Sequence, residues 1–218
     1  MKKGIHIFSA IVLLSILALT GCGGQDAPSD FAQVYVRGIL DTLYLGEYSE
    51  DFLSVTDTQD PAGLEAEYLA GLETEVHYFA YYFGVGELTE SAKADLTELY
   101  RDLYQLSRYE VQPSVSLDGS YTVNVIVEPL DIIDRVVKED LETFAAEMKI
   151  ASADGLTSDE YEKQYIEGLI GLIREKMDTP GYGEPVTLTL EVVQNPEDEL
   201  YYIKGNGLAE IDEQIIQY

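Results

Sequence analysis

The chain has 218 residues, with 41 acidic against 13 basic side chains, a net charge of -28, two histidines, one cysteine and no tryptophan. That sign of charge excludes a nucleic-acid binder, because phosphate contacts need lysine and arginine, and it favours cations, basic peptides or a basic protein surface as partners. With 46% hydrophobic residues and 17 tyrosines there is still enough apolar material for one real core.

Lys2 and Lys3 precede an apolar run from Ile5 to Thr20 that closes on small residues, the layout of a secretory signal peptide. The run falls short of the about 20 apolar residues that cross a bilayer. Asp26 and Asp30 follow it where a stop-transfer flank would carry bases. Leu19-Thr20-Gly21-Cys22 resembles the lipobox of bacterial lipoproteins. The resemblance implies that Cys22 receives a diacylglyceryl group, that residues 1–21 are a signal peptide cut off before it, and that the protein sits on the extracytoplasmic face of the cell membrane. Two acyl chains, at about 0.8 kcal/mol per buried CH₂, hold where a single chain is marginal. Cleavage removes Lys2 and Lys3 and no acid, so the remainder carries a charge of about -30. Anionic lipid repels such a body, and the lipid anchor is what keeps it at the membrane. Residues 22–29, Gly-rich and polar, are a short flexible tether. Residues 30–218 are expected to form a single extracytoplasmic domain.

Asp30 stands at an N-cap position with Gln33 at capping-box spacing, and Val36, Ile39, Leu40 and Leu43 follow as a helical stripe that Gly46 ends. A turn around 49–55 and a polar loop through Asp57 to Pro61 lead to a second helix. Its stripe is Leu69, Leu72, Val76, Phe79 and Phe83, widened by Tyr68 and Ala80 and broken at Gly84-Val85-Gly86. A third helix, from about Thr89 to Ser107, turns Ala92, Leu96, Leu99, Tyr100 and Leu103 to one side. The period then changes to two. Tyr109, Val111, Pro113 and Val115 alternate, as do Tyr121, Val123, Val125 and Val127. A two-residue Asp118-Gly119 turn pairs Val115 with Thr122 and splits the apolar sets between two faces. A three-residue loop, Leu117 to Gly119, pairs Val115 with Tyr121, Pro113 with Val123 and Val111 with Val125, and is the register expected. Pro113 cannot donate to a ladder, so its strand is expected to be an edge or to turn that nitrogen outward.

Asp131 is placed to cap a fourth helix with the stripe Ile133, Val137, Leu141, Phe144 and Met148. Thr157 and Glu160 form a capping box for a fifth helix that runs to about Met177. Gly168 and Gly171 on it are expected to allow close helix packing. Val186, Leu188, Leu190 and Val192 alternate in another strand, which turns at Asn195-Pro196-Glu197-Asp198 into a partner near Leu200 to Lys204. Leu208, Ile211 and Ile215 suggest a closing helix. The fold class expected is α+β, with an antiparallel sheet made from two β-hairpins (about 109–128 and 185–204) packed against about five to six helices.

The chemistry is sparse. Beyond the leader there is one histidine, His77, four residues after Glu73 on the flank of the second helix, where a local contact with Glu73 accounts for it. With one imidazole and no spare thiol, a zinc site is not expected. Calcium suits the composition but has no EF-hand motif, and no cofactor besides the lipid is assigned. A glycosidase needs only two carboxylates, a requirement that 41 acids meet without informing. Tyr78, Tyr81 and Tyr82 flank Phe79 and Phe83 in the most aromatic stretch, and with His77 they are the surface candidates. They read as the rim of a core or the lip of a binding edge.

As a whole the chain resembles a class of uncharacterised Gram-positive lipoproteins. The likeness rests on the Leu19 to Cys22 lipobox, on Tyr44-Leu45-Gly46-Glu47-Tyr48 and Tyr109-Glu110-Val111, on Val125-Ile126-Val127-Glu128-Pro129-Leu130, and on the segment from Tyr182 to Val192. It implies the extracytoplasmic face of a Gram-positive membrane and brings no catalytic residues. The function expected is a lipid-anchored envelope protein that is a non-catalytic partner- or ligand-binding module, with an Asp/Glu-dependent hydrolase, possible calcium assistance included, as the alternative.

Overall fold

The computed structural model describes residues 30–197 and 199–218. The leader, Cys22 and the 22–29 tether lie outside the described residues. Helix α1 (Phe31–Leu40) starts without a side-chain cap from Asp30. Gln33 instead reaches 78 residues away and donates from Nε2 to the Val111 carbonyl at 2.9 Å. The helix continues as a π-helical turn, Asp41–Leu45, and Gly46 ends it in the left-handed conformation at φ 66°, which glycine adopts without a Cβ penalty. Ser49 accepts from the Phe52 amide and opens a short helix, α2 (Glu50–Val55), where the sequence suggested only a turn. Phe52 then lies flat on α1 at Gly38, where a Cβ would overlap its ring.

Helix α3 (Ala62–Phe83) buries Leu64, Tyr68, Leu72, Val76, Phe79 and Phe83, and Gly84 stops it at φ 66°. Leu69 is not part of that stripe: it is 46% exposed, because the buried line runs through its neighbour Tyr68. Helix α4 (Glu90–Tyr104), capped by Thr89, buries Leu96, Leu99, Tyr100, Leu103 and Tyr104. Helix α5 (Ile132–Arg135), a π-helical turn (Val136–Asp140) and α6 (Leu141–Ala153) form one run, which Asp131 precedes without a side-chain cap. The capping box of Thr157 and Glu160 is present at the start of α7 (Ser158–Met177). Phe144 of α6 lies where a Cβ on Gly168 would stand, so that glycine permits close packing, whereas nothing approaches Gly171.

The five strands are β1 (Arg108–Val111), β2 (Val115–Leu117), β3 (Ser120–Glu128), β4 (Val186–Gln194) and β5 (Tyr201–Lys204). The two hairpins join through β3 and β4 into one antiparallel sheet of order β1-β3-β4-β5, with β2 also on β3. The α+β layout is therefore as the alternation predicts. The register of the first hairpin is not. Val115 opposes Thr122 and Leu117 opposes Ser120 across a two-residue turn, with Asp118 and Gly119 both at positive φ, 50° and 85°. Val111 nevertheless opposes Val125, as expected. Three residues, Gln112 to Ser114, thus face two, Val123 and Asn124, and the extra one sits at Pro113, which has no N–H to lose. The bulge keeps Tyr109 and Val111 on the core side and turns Val115 outward, where it is 66% exposed.

Val111, Val123, Val125, Val127, Leu190 and Val192 form the buried face of the sheet, against α1 and the last helix, α8 (Gly207–Ile215). Helix α3 packs on α4 and on the π-helical turn after α1, and α4 packs on α7. Beyond β3 the chain is knitted by main-chain bonds. Leu130 donates to Ile215 and accepts from Gln217, Asp131 donates to Gly181, and Gly183 donates to Pro129.

Gly38 and Gly171 give opposite expectations for the same substitution. Gly38→Ala drives a methyl into the fully buried Phe52 ring and should lower stability by about 2 kcal/mol. Gly171→Ala, in open space on a helix, should raise it by up to about 1 kcal/mol. Urea midpoints of the two variants check the packing, and an unchanged midpoint for Gly38→Ala would show that Phe52 does not sit there.

Candidate functional site

Glu75 lies on the buried side of α3, three residues after Leu72 and four before Phe79. Its carboxylate points into a group of phenols. Tyr104 donates to Oε1 at 2.8 Å and Tyr218 to Oε2 at 3.1 Å. Since Tyr218 spends its one proton on Glu75, Tyr100 is the donor in the 2.8 Å bond between the Tyr100 and Tyr218 hydroxyls. Tyr44 stacks its ring obliquely on Tyr104 at 5.3 Å and donates to Asp212 Oδ1 at 3.4 Å. Tyr218 owes its place to the Leu130 junction, which carries residues 215–217 between β3 and the start of α5.

Burial is the main force on this group. It pushes the Glu75 carboxyl up to about 7, the Asp212 carboxylate adds to the rise, and the bonds from Tyr104 and Tyr218 oppose it. Burial likewise holds Tyr44, Tyr100, Tyr104 and Tyr218 well above the ordinary phenol range, so all four stay protonated as donors. Both Glu75 oxygens are thus taken by the protein's own hydroxyls.

A second feature is open to solvent. A groove of about 330 Å³ runs between the end of α1 and strand β1, walled by Arg37 and Leu45 on one side and by Ser107, Arg108, Tyr109 and Glu110 with Ile126 and Glu128 of β3 on the other. Each arginine is held by a carboxylate and a ring. Arg37 Nε lies 3.2 Å from both Asp41 oxygens, with its guanidinium 5.7 Å from the centre of the Tyr109 ring. Arg108 lies 3.8 Å over Tyr182 and bonds Glu128 at 3.3 Å. Tyr109 donates to Asp41 at 2.7 Å, and Tyr182 donates to the Leu106 carbonyl at 2.8 Å. The Ser107 hydroxyl is enclosed and has no partner among the described residues. Tyr44 meets Tyr109 edge-on at 6.1 Å and so links the groove to the Glu75 group.

The residues singled out from the sequence divide between these places. His77 is exposed and lies 3.9 Å from Glu73, as expected. Tyr78 and Tyr82 meet Tyr218 edge-on, at 4.7 and 5.1 Å, and form the rim of the phenol cluster, whereas Tyr81 is 61% exposed and outside it. Cys22 lies outside the described residues. Sequence reasoning missed Glu75, although an acid at helical spacing between Leu72 and Phe79 was a legible signal. It also missed the groove, which joins residues about 70 positions apart and has no local signature. Among the described residues no three His, Cys, Asp or Glu side chains are placed to hold a metal ion. No helix among them is long and apolar enough to cross a membrane.

No family model and no curated protein matches the chain. Among solved structures, that of ycdA from Bacillus subtilis, a candidate lipoprotein, is similar with a TM-score of 0.59 and 15% sequence identity. The likeness covers 87% of this chain and 58% of that one, so the chain spans a little over half the length of its neighbour. At this identity the two share a fold.

The Glu75 group makes stability depend on pH in a definite direction. An unfolded glutamate releases its proton near 4.5 and the folded one near 7. The folded state therefore binds the proton more tightly, and stability falls as pH rises through that window, by about 3 kcal/mol in all. Glu75→Gln should remove this part of the slope, matching the parent near pH 4 and exceeding it at pH 8. Denaturation of both proteins between pH 4 and 8 reads the difference. Parallel curves would mean that Glu75 is solvated.

Proposed function

We propose that this chain is a lipid-anchored envelope protein, held by Cys22 on the extracytoplasmic face of a membrane, that acts as a non-catalytic binding module with the Arg37–Arg108 groove as its recognition surface. The groove is the observation that carries the binding reading. It is open, it brings α1 against β1, and its polar walls are fixed before any ligand arrives by the ring and carboxylate contacts of both arginines. Preorganised walls of this kind lose little freedom on binding. The anchoring half rests on Leu19-Thr20-Gly21-Cys22, and the neighbour in fold, itself a candidate lipoprotein, agrees with it.

The raised Glu75 carboxyl beside Asp212 favours a second reading, an Asp/Glu-dependent hydrolase. Against it, each carboxylate oxygen already accepts a hydrogen bond from one of the protein's own phenols, Tyr104 or Tyr218.

The full chain expressed in a Gram-positive host tests the anchor. The parent should fractionate with membranes and yield an N-terminal peptide beginning at a diacylglyceryl-modified Cys22, and Cys22→Ala should pass to the soluble or secreted fraction. An unmodified parent outside the membrane fraction would end the lipoprotein reading. Crosslinking in the same cells should join a partner through residues of the groove, and crosslinks scattered over the acidic surface would count against a recognition site there.

A further inference from the structure

We propose that the uncovered face of the sheet docks a second copy of this chain, sheet against sheet, about a two-fold axis. This inference goes beyond the groove and is independent of the ligand that the groove takes. Both helices that pack on the sheet, α1 and α8, lie against its Val123, Val125 and Leu190 side. Among the described residues no helix covers the side chains of the other parity. They include Thr122, Asn124 and Ile126 of β3 and Thr187, Thr189 and Val193 of β4, all half-buried or exposed. Val115 and Tyr202 stand on the same side, opposite Thr122 and Val193, and are 66% and 46% exposed.

Charge decides which surface a second copy can use. Two bodies of net charge -28 repel one another wherever acid meets acid. On the uncovered face the charged residues are Arg108 and Lys204 against Glu110, Glu128 and Glu191, close to balance in a chain of 13 bases and 41 acids. Their placement is self-complementary. Arg108 pairs with Glu128 at 3.3 Å at one corner of the face, on β1 and β3. Lys204 pairs with Glu191 at 3.0 Å toward the diagonally opposite corner, on β5 and β4. The registers put four uncharged residues, Asn124, Ile126, Thr187 and Thr189, around the midpoint between the two pairs. A two-fold axis lying in the face through that midpoint, at right angles to the line joining the pairs, lays each pair on the opposite pair of the second copy. The strand order then sets Arg108 against Glu191 of the second copy and Glu128 against Lys204 of the second copy. Each ion pair becomes part of a group of four alternating charges.

The face is large enough for such a contact. Strand spacing and rise give it about 500 Å² in each copy, or about 1,000 Å² for the pair, the least that a specific interface buries. Sheets pack face to face in this way at a separation of about 10 Å. A contact of this size is weak in solution and gains from the confinement of both copies to one membrane by the anchor proposed above. It also brings Lys204 of the second copy to Glu128 on the β3 wall of the groove.

Sedimentation equilibrium of the full chain in density-matched detergent, with micelles in excess, should show a monomer–dimer equilibrium with a dissociation constant of about 10 µM. Glu128→Lys and Lys204→Glu each set like charges against one another across the axis and should weaken the dimer about tenfold. The double variant restores opposite charges there and should return to within about threefold of the parent. A merely structural cost of the two changes would add instead of cancelling. In membranes, Thr187→Cys should be joined to itself by a thiol-reactive crosslinker spanning about 10 Å. Ile150→Cys, on α6 and 66% exposed, should not. A parent that stays monomeric at about 100 µM would overturn the proposal. So would a dimer indifferent to both single changes, a double variant no better than either, or equal crosslinking at positions 150 and 187. If the chain proves unanchored, the equilibrium in solution still reads the dimer, so the two failures are distinguishable.

Discussion

Two hydrogen bonds made by the main chain of Leu130 hold the sheet and the helices in one arrangement. Its N–H reaches Ile215 and its C=O accepts from Gln217. Leu130 is fully buried, so leaving either group unpaired would forfeit the interaction with water and gain nothing in return. Because β3 ends just before it and α8 just before Ile216, these bonds bring the end of α8 to the corner of the sheet. The neighbouring bonds from Asp131 to Gly181 and from Gly183 to Pro129 bring in the approach to β4. Tyr218 follows from that junction and is delivered to Tyr100 and Glu75 without any contact of its own having to search for them.

The treatment of negative charge differs sharply between outside and inside. Most of the acids are solvated or paired locally, as with Asp134 and Lys138 or Glu191 and Lys204, and exposed pairs of this kind contribute little. Glu75 is held differently. Burial costs it the charged form near neutral pH, and the phenols of Tyr104 and Tyr218 lower that cost by bonding both oxygens. The tyrosines are suited to this position because each buries a large ring and still carries a hydroxyl to the carboxylate. Of the 17 tyrosines, Tyr104 and Tyr218 are used in this way, Tyr100 reaches Glu75 only through the Tyr218 hydroxyl, Tyr44 bonds Asp212, and Tyr78 and Tyr82 seal the rim.

The groove depends on the same fold from the other side. Strand β1 reaches it in the right register because the chain carries an extra residue at Pro113, where a missing N–H does least harm to the ladder. Without that residue the Asp118-Gly119 turn would put Tyr109 and Val111 on the outer face, away from Tyr44 and α1. With it, Tyr109 faces Asp41 and Arg37, and the wall of the groove is built.

Most of the elements were legible in the sequence. The period of 3.6 marks α3 and α4, the Thr157–Glu160 capping box starts α7 where the spacing says, and Gly46 and Gly84 end their helices at positive φ. The period of two marks β3 and β4 and hence the α+β class. These are local properties, set by side-chain preference and by the few backbone conformations a residue allows. Leu69 and Gly171 show the limit. Both have the right residue type at a helical spacing, yet which side of a helix is buried depends on what packs against it, and here that is settled one position away. The first hairpin shows it again, since a rule that the apolar sets share one face is sound, but a bulge satisfies it as well as a longer loop does. The place of Glu75 on the inner side of α3 was legible from its spacing, but its phenol partners and the groove were not, because each joins side chains separated by tens of residues. Sequence alone determined the elements and the sign of the surface. The tertiary structure alone decided which phenols meet Glu75 and which residues wall the groove, because those follow from long-range packing, which no local pattern encodes.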